Sequence, residues 1–528
     1  MPEEPTPALE LAPAGIYLRL MFLRRVKPHW PAVAILALAA LLRLWALDVK
    51  PAHFDEGVNG WFADQMTRTG YYRYDPTNYH GPLHMVAVFV SQTLLGRNLW
   101  SLRLPAVLAS LLAVWALLKC GRFFGQRTAR LAALAMAVSP AYVFYGRYSI
   151  HESWMAFFLI LVLLGILGLW KNGDRQSLWT LALGATGTVL TKETYVIHAA
   201  CFALAVPVLF LWQKVLPSKP PNPPSPQRWT RRDAGFAVAA SVFVIAAFYS
   251  GFFLDFGALR GLYETFAAWF QTGVHAAGHE KTAYQFGPVN VYWVAIMARY
   301  EWASLAGLIA CFYFVTPTDA RLRYLAIYGG GALFAFSLIP YKTPWCGVSI
   351  FWPFYLLAAS ASAALPAAIR RGLWVVLIAS GLIISVRLNF FRFADDSEPY
   401  VYVQTYPEID VAIGPPLRKA AADPAFYHAK GAVILESYYP LPWILGDFTR
   451  IGYHAKNAVP ENITSSFVIT SGDAADAVQA NLSGNYYRKK FRLRSGVDDC
   501  VVFFRADDFA EMLGGRPDVI GSAPGGQP

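Results

Sequence analysis

The chain has 528 residues, 56% of them hydrophobic and 15% aromatic, with a mean hydropathy of +0.36. Those values exclude an ordinary soluble enzyme, and recurrent apolar runs of about 17–25 residues point to a polytopic membrane protein. The net charge of +11 is no argument for nucleic acid: residues 1–394 carry 33 Lys/Arg against 17 Asp/Glu, whereas residues 395–528 carry 12 against 17. The positive excess thus belongs to the apolar part, where short basic loops set orientation.

Residues 1–28 read as a cytoplasmic tail, Pro- and Glu-rich over 1–15 and therefore disordered, with Arg19, Arg24, Arg25 and Lys27 before the first apolar run. An N-terminal transmembrane bundle is expected over 29–212. Its spans are placed at 29–47, 101–119, 131–146, 153–170, 178–191 and 194–212, with 83–95 as a short re-entrant or surface helix. The loop 48–82 after the first span contains His53-Phe54-Asp55-Glu56-Gly57. Val58, Trp61, Phe62 and Met66 follow at helical spacing, which predicts a helix lying along the bilayer interface.

A Pro-rich cytoplasmic linker, 213–233, separates this bundle from a second at 234–394, with spans at 234–254, 290–315, 322–340, 344–366 and 372–390. Basic loops alternate as about 11 spans require, with the N-terminus inside. Beyond 394 the pattern changes. Val401–Val403, Ala432–Leu435, Ser466–Ile469 and Cys500–Phe504 read as buried strands, with helices at 407–422 and 473–482 between them. This predicts a small extracytoplasmic α/β domain over 395–515 and a disordered tail at 516–528. The five cysteines show neither metal-ligand spacing nor a disulfide framework.

Ionisable residues at the ends of apolar spans are costly and default to functional candidates. On this topology the outer ends collect His53, Asp55, Glu56, Asp75, His80, His84, Arg147, His151, Glu152, Lys192, Glu193, Arg299, Glu301 and Lys342. Each has a structural reading beside the functional one. Arg43 and Arg147 could anchor or pair, Lys192-Glu193 could be a local ion pair, and Tyr341-Lys342-Thr343-Pro344-Trp345 could be a Pro-induced helix break. The chemistry that suits the whole set is glycosyl transfer from a polyprenyl-phosphate sugar. A carboxylate would take the acceptor's proton, with Asp55 preferred over Glu56, and Glu152 completes the catalytic candidates. Cations would stabilise the departing phosphate, with Lys192, Arg147, Arg299 and Lys342 as candidates beside His53, His80, His151 and Glu193. Asp55, Glu152 and His53, with His80 and His151, could hold a divalent metal, although no spacing demands one.

A first span, an exported Asp-Glu, an amphipathic helix and a Gly-Pro-Leu entry to the next apolar segment together resemble the GT-C glycosyltransferases. Ser101-Leu102-Arg103-Leu104-Pro105-Ala106 with Phe123-Phe124-Gly125 is similar to their R-L-P…F-G stretch, and Ser139-Pro140 with Arg147 and Glu152 to their second acidic loop. Many relatives carry Asp where this chain has Glu152. The resemblance is to protein O-mannosyltransferases and the aminoarabinose transferases. Thr191-Lys192-Glu193 and the Tyr341–Trp345 motif look more like an uncharacterised, flippase-associated branch. It implies a GT-C fold, an isoprenoid-phosphate sugar donor, Asp55 as base and Glu152 as the second-loop acid.

The expectation is therefore a multi-pass transferase of the cytoplasmic membrane, acting on a glycan, lipid or protein acceptor outside. The main alternative is a non-enzymatic flippase for lipid-linked sugars, which predicts charges near the midplane of the spans. A structural envelope component comes third and leaves the Asp55 loop unexplained.

Overall fold

The computed structural model describes residues 30–78, 80–217, 227–275, 289–315, 319–496 and 499–519. The expected disordered N-terminal stretch, the middle of the Pro-rich linker and residues 520–528 lie outside them.

The first half is a bundle of α1 (Trp30–Leu44), α2 (Phe54–Thr69), α3 (Leu83–Leu95), α4 (Leu99–Lys119), α5 (Gln126–Val138), α6 (Glu152–Asn172), α7 (Arg175–Thr191) and α8 (Tyr195–Val215). The second half comprises α9 (Arg231–Tyr249), α10 (Gly261–His275), α11 (Tyr292–Tyr300), α12 (Trp302–Ala310), α13 (Ala320–Leu338), α14 (Trp352–Ala361) and α15 (Ala367–Val386). One apolar core joins the halves, from Ala113 and Leu117 on α4 through Leu159 and Leu163 on α6 to Phe354, Tyr355 and Leu357 on α14. Away from it, α8 and α9 turn Leu204, Phe210, Phe236 and Val242 outward, each more than 60% exposed. Such apolar faces fit a lipid solvent, and the chain is a multi-pass membrane protein.

Helix length alone does not give eleven crossings. Among the described residues five helices are long and apolar enough to span, or up to seven if each of two bent pairs counts as one. Three expected spans are broken. The run at 131–146 bends by 57° at Ser139-Pro140, and the run at 344–366 bends by 50° where Pro353 follows Phe351-Trp352. The run at 290–315 is interrupted at Glu301, whose buried carboxylate accepts hydrogen bonds from Ser139 Oγ, the Ala141 amide, Tyr355 and Tyr400. A Pro cannot donate to the helix ladder, and a buried carboxylate must find donors, so each break follows from one residue.

The C-terminal domain is a five-stranded mixed sheet, β1 (Lys430–Ile434), β2 (Arg450–His454), β3 (Phe467–Ser471), β4 (Tyr486–Phe491) and β5 (Cys500–Arg505), in the order β2-β1-β3-β5-β4. β1 pairs in parallel with β2 and β3, and β5 runs antiparallel to β3 and β4. All five residues of central β3 are buried, as expected of a strand covered on both faces. One cover is α16 (Asp410–Ala422). Val401–Val403 is not a strand, because Val403 sits at φ +45° in a segment running back along the bundle. Val519, in the expected tail, bridges to Tyr486 at the edge of β4.

The helix after Asp55 is not free on a bilayer surface. Phe62 and Met66 of α2 pack with Tyr72, Tyr74, Met85 and Leu190. Its other side meets the C-terminal domain: a Cβ at Gly57 would strike Pro440, and one at Gly60 would strike Trp443. The two glycines admit that close approach, so α2 is sandwiched between bundle and sheet domain.

Candidate active site

His53 caps α2. Its Nδ1 accepts from the Asp55 amide at 3.1 Å, while the Glu56 carboxylate accepts the His53 amide at 2.8 Å, a reciprocal capping box. Glu56 then turns inward. Its two oxygens take Arg103 Nε and Nη2 at 2.8 and 2.7 Å, and the Ser149 amide at 2.8 Å. Both partners are 0% exposed. Burial alone would raise the Glu56 carboxyl, but the Arg103 charge and these hydrogen bonds outweigh it and hold it below the ordinary carboxylate value.

Asp55, one residue earlier, is rotated about 100° around the helix and keeps a third of its side chain exposed. Its nearest titratable neighbour is His53, with Nδ1 at 3.9 Å. Arg494 of the sheet domain lies over the Phe54 ring, 4.8 Å from its centroid, and donates to the Tyr439 carbonyl and Ser437. Burial lowers Arg494 to about 10, and the Asp55 charge works against that.

A second cluster lies beside the first. The Gly81 amide donates to the Thr191 carbonyl at 3.1 Å, and His80 forms an antiparallel bridge with Lys192. Lys192 Nζ then stands 2.6 Å from Glu152 and 3.9 Å from Cys346 Sγ. Glu193 accepts from His80 Nδ1 at 2.9 Å. His151 sits between His80 and His84, with ring centroids 4.6 and 4.9 Å away. Ser149 joins the clusters: its amide serves Glu56, its carbonyl takes Asn59, and its hydroxyl meets His84 Nε2 at 3.0 Å. Trp345-Cys346 is the other link, with Trp345 packing against His53, Tyr145 and Tyr402, and Cys346 against Lys192.

The structure therefore brings Asp55, His80, His151, Glu152, Lys192 and Glu193 into one neighbourhood. His53 and Glu56 stay beside Asp55, whereas Arg147, Lys342 and Arg299 are employed elsewhere. Arg147, expected at a phosphate, is 0% exposed and donates to the carbonyls of Leu42, Arg43, Trp45 and Ala46, closing the end of α1. Lys342 does the same for α13, donating to the carbonyls of Phe336, Ser337 and Ile339. A cation there satisfies orphan carbonyls and the negative end of the helix dipole. Arg299 pairs with buried Glu398, which Arg387, Arg392 and the Tyr300 hydroxyl also bind.

The proposed metal set does not form. Both ring nitrogens of His53 are engaged, Nδ1 by the Asp55 amide and Nε2 by the Tyr402 carbonyl at 2.8 Å, so the ring is the Nε2–H tautomer with no lone pair left for a ligand. Glu152 is committed to Lys192. Among the described residues no three His, Cys, Asp or Glu side chains are placed to share a metal ion.

Five participants had no motif. Tyr402, Tyr145 and Tyr148 wall the Asp55 cluster, and the Tyr148 hydroxyl donates to Gln404. Lys50 is buried under Asn389 at 2.9 Å and lies 3.6 Å from the Phe144 ring centroid. Arg494 comes from more than four hundred residues away. Arg103 did carry a signal, a charge inside an apolar span that must have a buried partner.

Residues 79–220 match the family described as dolichyl-phosphate-mannose-protein mannosyltransferase. No curated protein matches the sequence significantly. Among solved structures, ArnT from Cupriavidus metallidurans bound to undecaprenyl phosphate aligns over 90% of this chain and 98% of its own, with 16% identity and a TM-score of 0.57. The same protein in the apo state covers 89% and 97%, with 17% identity and a TM-score of 0.54. The Archaeoglobus fulgidus oligosaccharyltransferase is more distant, covering 88% and 73% with 12% identity and a TM-score of 0.48.

Proposed function

With the GT-C fold as its premise, we propose that the chain is a glycosyltransferase that moves a sugar from a polyprenyl-phosphate donor to an acceptor hydroxyl. The fold is that of glycosyltransferases, the matched family is named for a dolichyl-phosphate sugar donor, and the similar ArnT was solved with undecaprenyl phosphate. The reading places the N-terminus in the cytoplasm and the sheet domain outside the cytoplasmic membrane. The acceptor would be a glycan, lipid or protein.

The observation that carries the reading is the divergence of two adjacent carboxylates. Glu56 has all its acceptor capacity occupied in a buried ion pair, whereas Asp55 stands at the mouth between bundle and sheet domain, a third exposed. In the proposed step, Asp55 removes the acceptor's proton as its oxygen attacks the anomeric carbon from the face opposite the phosphate, inverting the configuration. The bond to the phosphate oxygen breaks, and Lys192, held by Glu152, stabilises the departing charge. The transferred sugar is a hexose or pentose unit.

The test is reconstitution in proteoliposomes with radiolabelled hexosyl- and pentosyl-phosphate polyprenols presented with glycan, lipid or peptide acceptors. Transfer of label to an acceptor is the expected result. Label that crosses the bilayer still attached to its lipid, with no transfer, would replace the enzyme by a flippase.

A further inference from the structure

α1 and α5 lie side by side. Near the end of α1, Arg43 donates to the carbonyls of Met136 and Ala137, near the end of α5. The two helices therefore run parallel and begin together at the other end of the bundle. Between their first halves lies an open groove of about 630 Å³, within the size range of ligand sites. Its apolar lining comes from Trp30, Ala34, Ile35 and Leu38 on α1 and from Leu131 and Leu134 on α5. Gln126, Arg127 and Arg130 complete it. α1 has 15 residues, about 20 Å of helix, and the loop that carries Asp55 follows its far end. The groove is thus remote from the Asp55 and Lys192 clusters.

The two arginines set this groove apart from a plain lipid-facing surface. Three residues apart on α5, they share one helix face. Among the described residues neither guanidinium has a hydrogen-bond or ion-pair partner. The sequence supplies no local counter-charge, because no Asp or Glu occurs between Glu10 and Asp48 or between Asp75 and Glu152. The residues that precede α1 add Arg19, Arg24, Arg25 and Lys27, the wrong sign to neutralise the pair. Orientation in the bilayer calls for positive charge at one membrane face, which any basic loop supplies; it does not call for two unpaired cations beside a groove. Unpaired cations there suit an anion that brings its own apolar body. A glycerophospholipid with a net negative headgroup is such a molecule, and basic pockets between spans are where such headgroups bind. Trp30, exposed at the start of α1, adds an indole of the kind that sits at headgroup level.

We propose that the α1–α5 groove binds one anionic glycerophospholipid, with Arg127 and Arg130 on its phosphate and an acyl chain along Ala34, Leu38, Leu131 and Leu134. The lipid joins the two helices at the end that Arg43 does not reach. It is a resident lipid, distinct from the sugar donor, whose phosphate the proposed transfer step places at Lys192. The site stands whether or not the chain transfers sugar.

The experiment is native mass spectrometry of the full chain in detergent. It is titrated with phosphatidylglycerol, with phosphatidylcholine of the same acyl chains, and with undecaprenyl phosphate. Wild type should retain one phosphatidylglycerol, on the order of tenfold more tightly than phosphatidylcholine. That preference should shrink as salt rises. The doubly substituted Arg127→Gln, Arg130→Gln chain should bind the two phospholipids alike. Ala34→Trp keeps both arginines but fills the groove from an exposed position, so it should lose the retained lipid while still folding. Lys119→Gln removes a cation just before α5 that does not line the groove, and it should bind as wild type does. Equal retention of phosphatidylglycerol by wild type and the double variant, or no preference in wild type, would overturn the proposal. So would a preference for undecaprenyl phosphate that the same variants abolish, which gives the groove to the carrier lipid. A wild-type dimer that Ala34→Trp dissociates would give it to a second copy and overturn the proposal as well.

Discussion

The frame and the mouth of this protein use charge in opposite ways. In the frame these charges are neutralised or held by several partners: Glu56 with Arg103 and two amides, Arg147 on four carbonyls, Lys342 on three, and Glu398 within an arginine cluster. At the mouth the charges keep some access, with Asp55 a third exposed and the His80 side chain a quarter exposed. A charge held in this way closes a helix end or joins two segments, and an accessible one can meet a substrate. The comparison predicts that frame substitutions are read in stability and mouth substitutions in turnover.

The sharpest break of the frame is Glu56→Gln, which leaves Arg103 buried without its counter-charge. A cost of about 3–5 kcal/mol is expected, seen as a large fall in detergent Tm. The pH dependence has a definite sign. Because the folded Glu56 lies below the ordinary carboxylate value, its contribution is full at neutral pH and is lost as pH falls through that lowered value. Wild-type Tm should therefore decline in acid across a window where the variant's Tm is already low and flat.

Lys192→Gln spans the comparison: Lys192 is nearly buried against Glu152, so its loss lowers Tm as well as turnover. A cation aimed at a developing oxyanion contributes roughly 10²–10³ in kcat, and that loss is expected in a transfer assay. Arg147→Lys should remove part of a four-carbonyl fork and cost about 1–3 kcal/mol in thermal unfolding, with KM for the donor unchanged. A raised donor KM with unchanged Tm would return Arg147 to the phosphate. Lys342→Gln is the mildest, at about 1 kcal/mol of stability.

The sequence made parts of this legible for physical reasons. Apolar runs, basic loops and the compositional break near 394 report solvent preference, which is local, so the bundle and the sheet domain could be anticipated. Three of five strands, β1, β3 and β5, are continuous apolar runs and were visible. β2 and β4, at the sheet edges, carry Arg450, His454 and Arg488-Lys489-Lys490 and were not. The site was legible as a set of residue types, but their division of labour was not. Arg147 and Lys192 look alike in sequence, each a cation beside an apolar span. Only packing reveals that one meets helix-end carbonyls and the other a carboxylate. Arg494 and Tyr402 act through contacts hundreds of residues apart, which no local pattern encodes.

The adjacent acids permit the most direct test. Asp55→Asn and Glu56→Gln each remove one charge at neighbouring positions, and both variants can be measured for Tm and for sugar transfer from a polyprenyl-phosphate donor. The account predicts that Asp55→Asn keeps the wild-type Tm and loses transfer by roughly 10²–10⁴-fold, while Glu56→Gln loses Tm and, at a temperature where it remains folded, retains most of its transfer. An Asp55→Asn protein that transfers as wild type does, or a stable Glu56→Gln protein without activity, would contradict it.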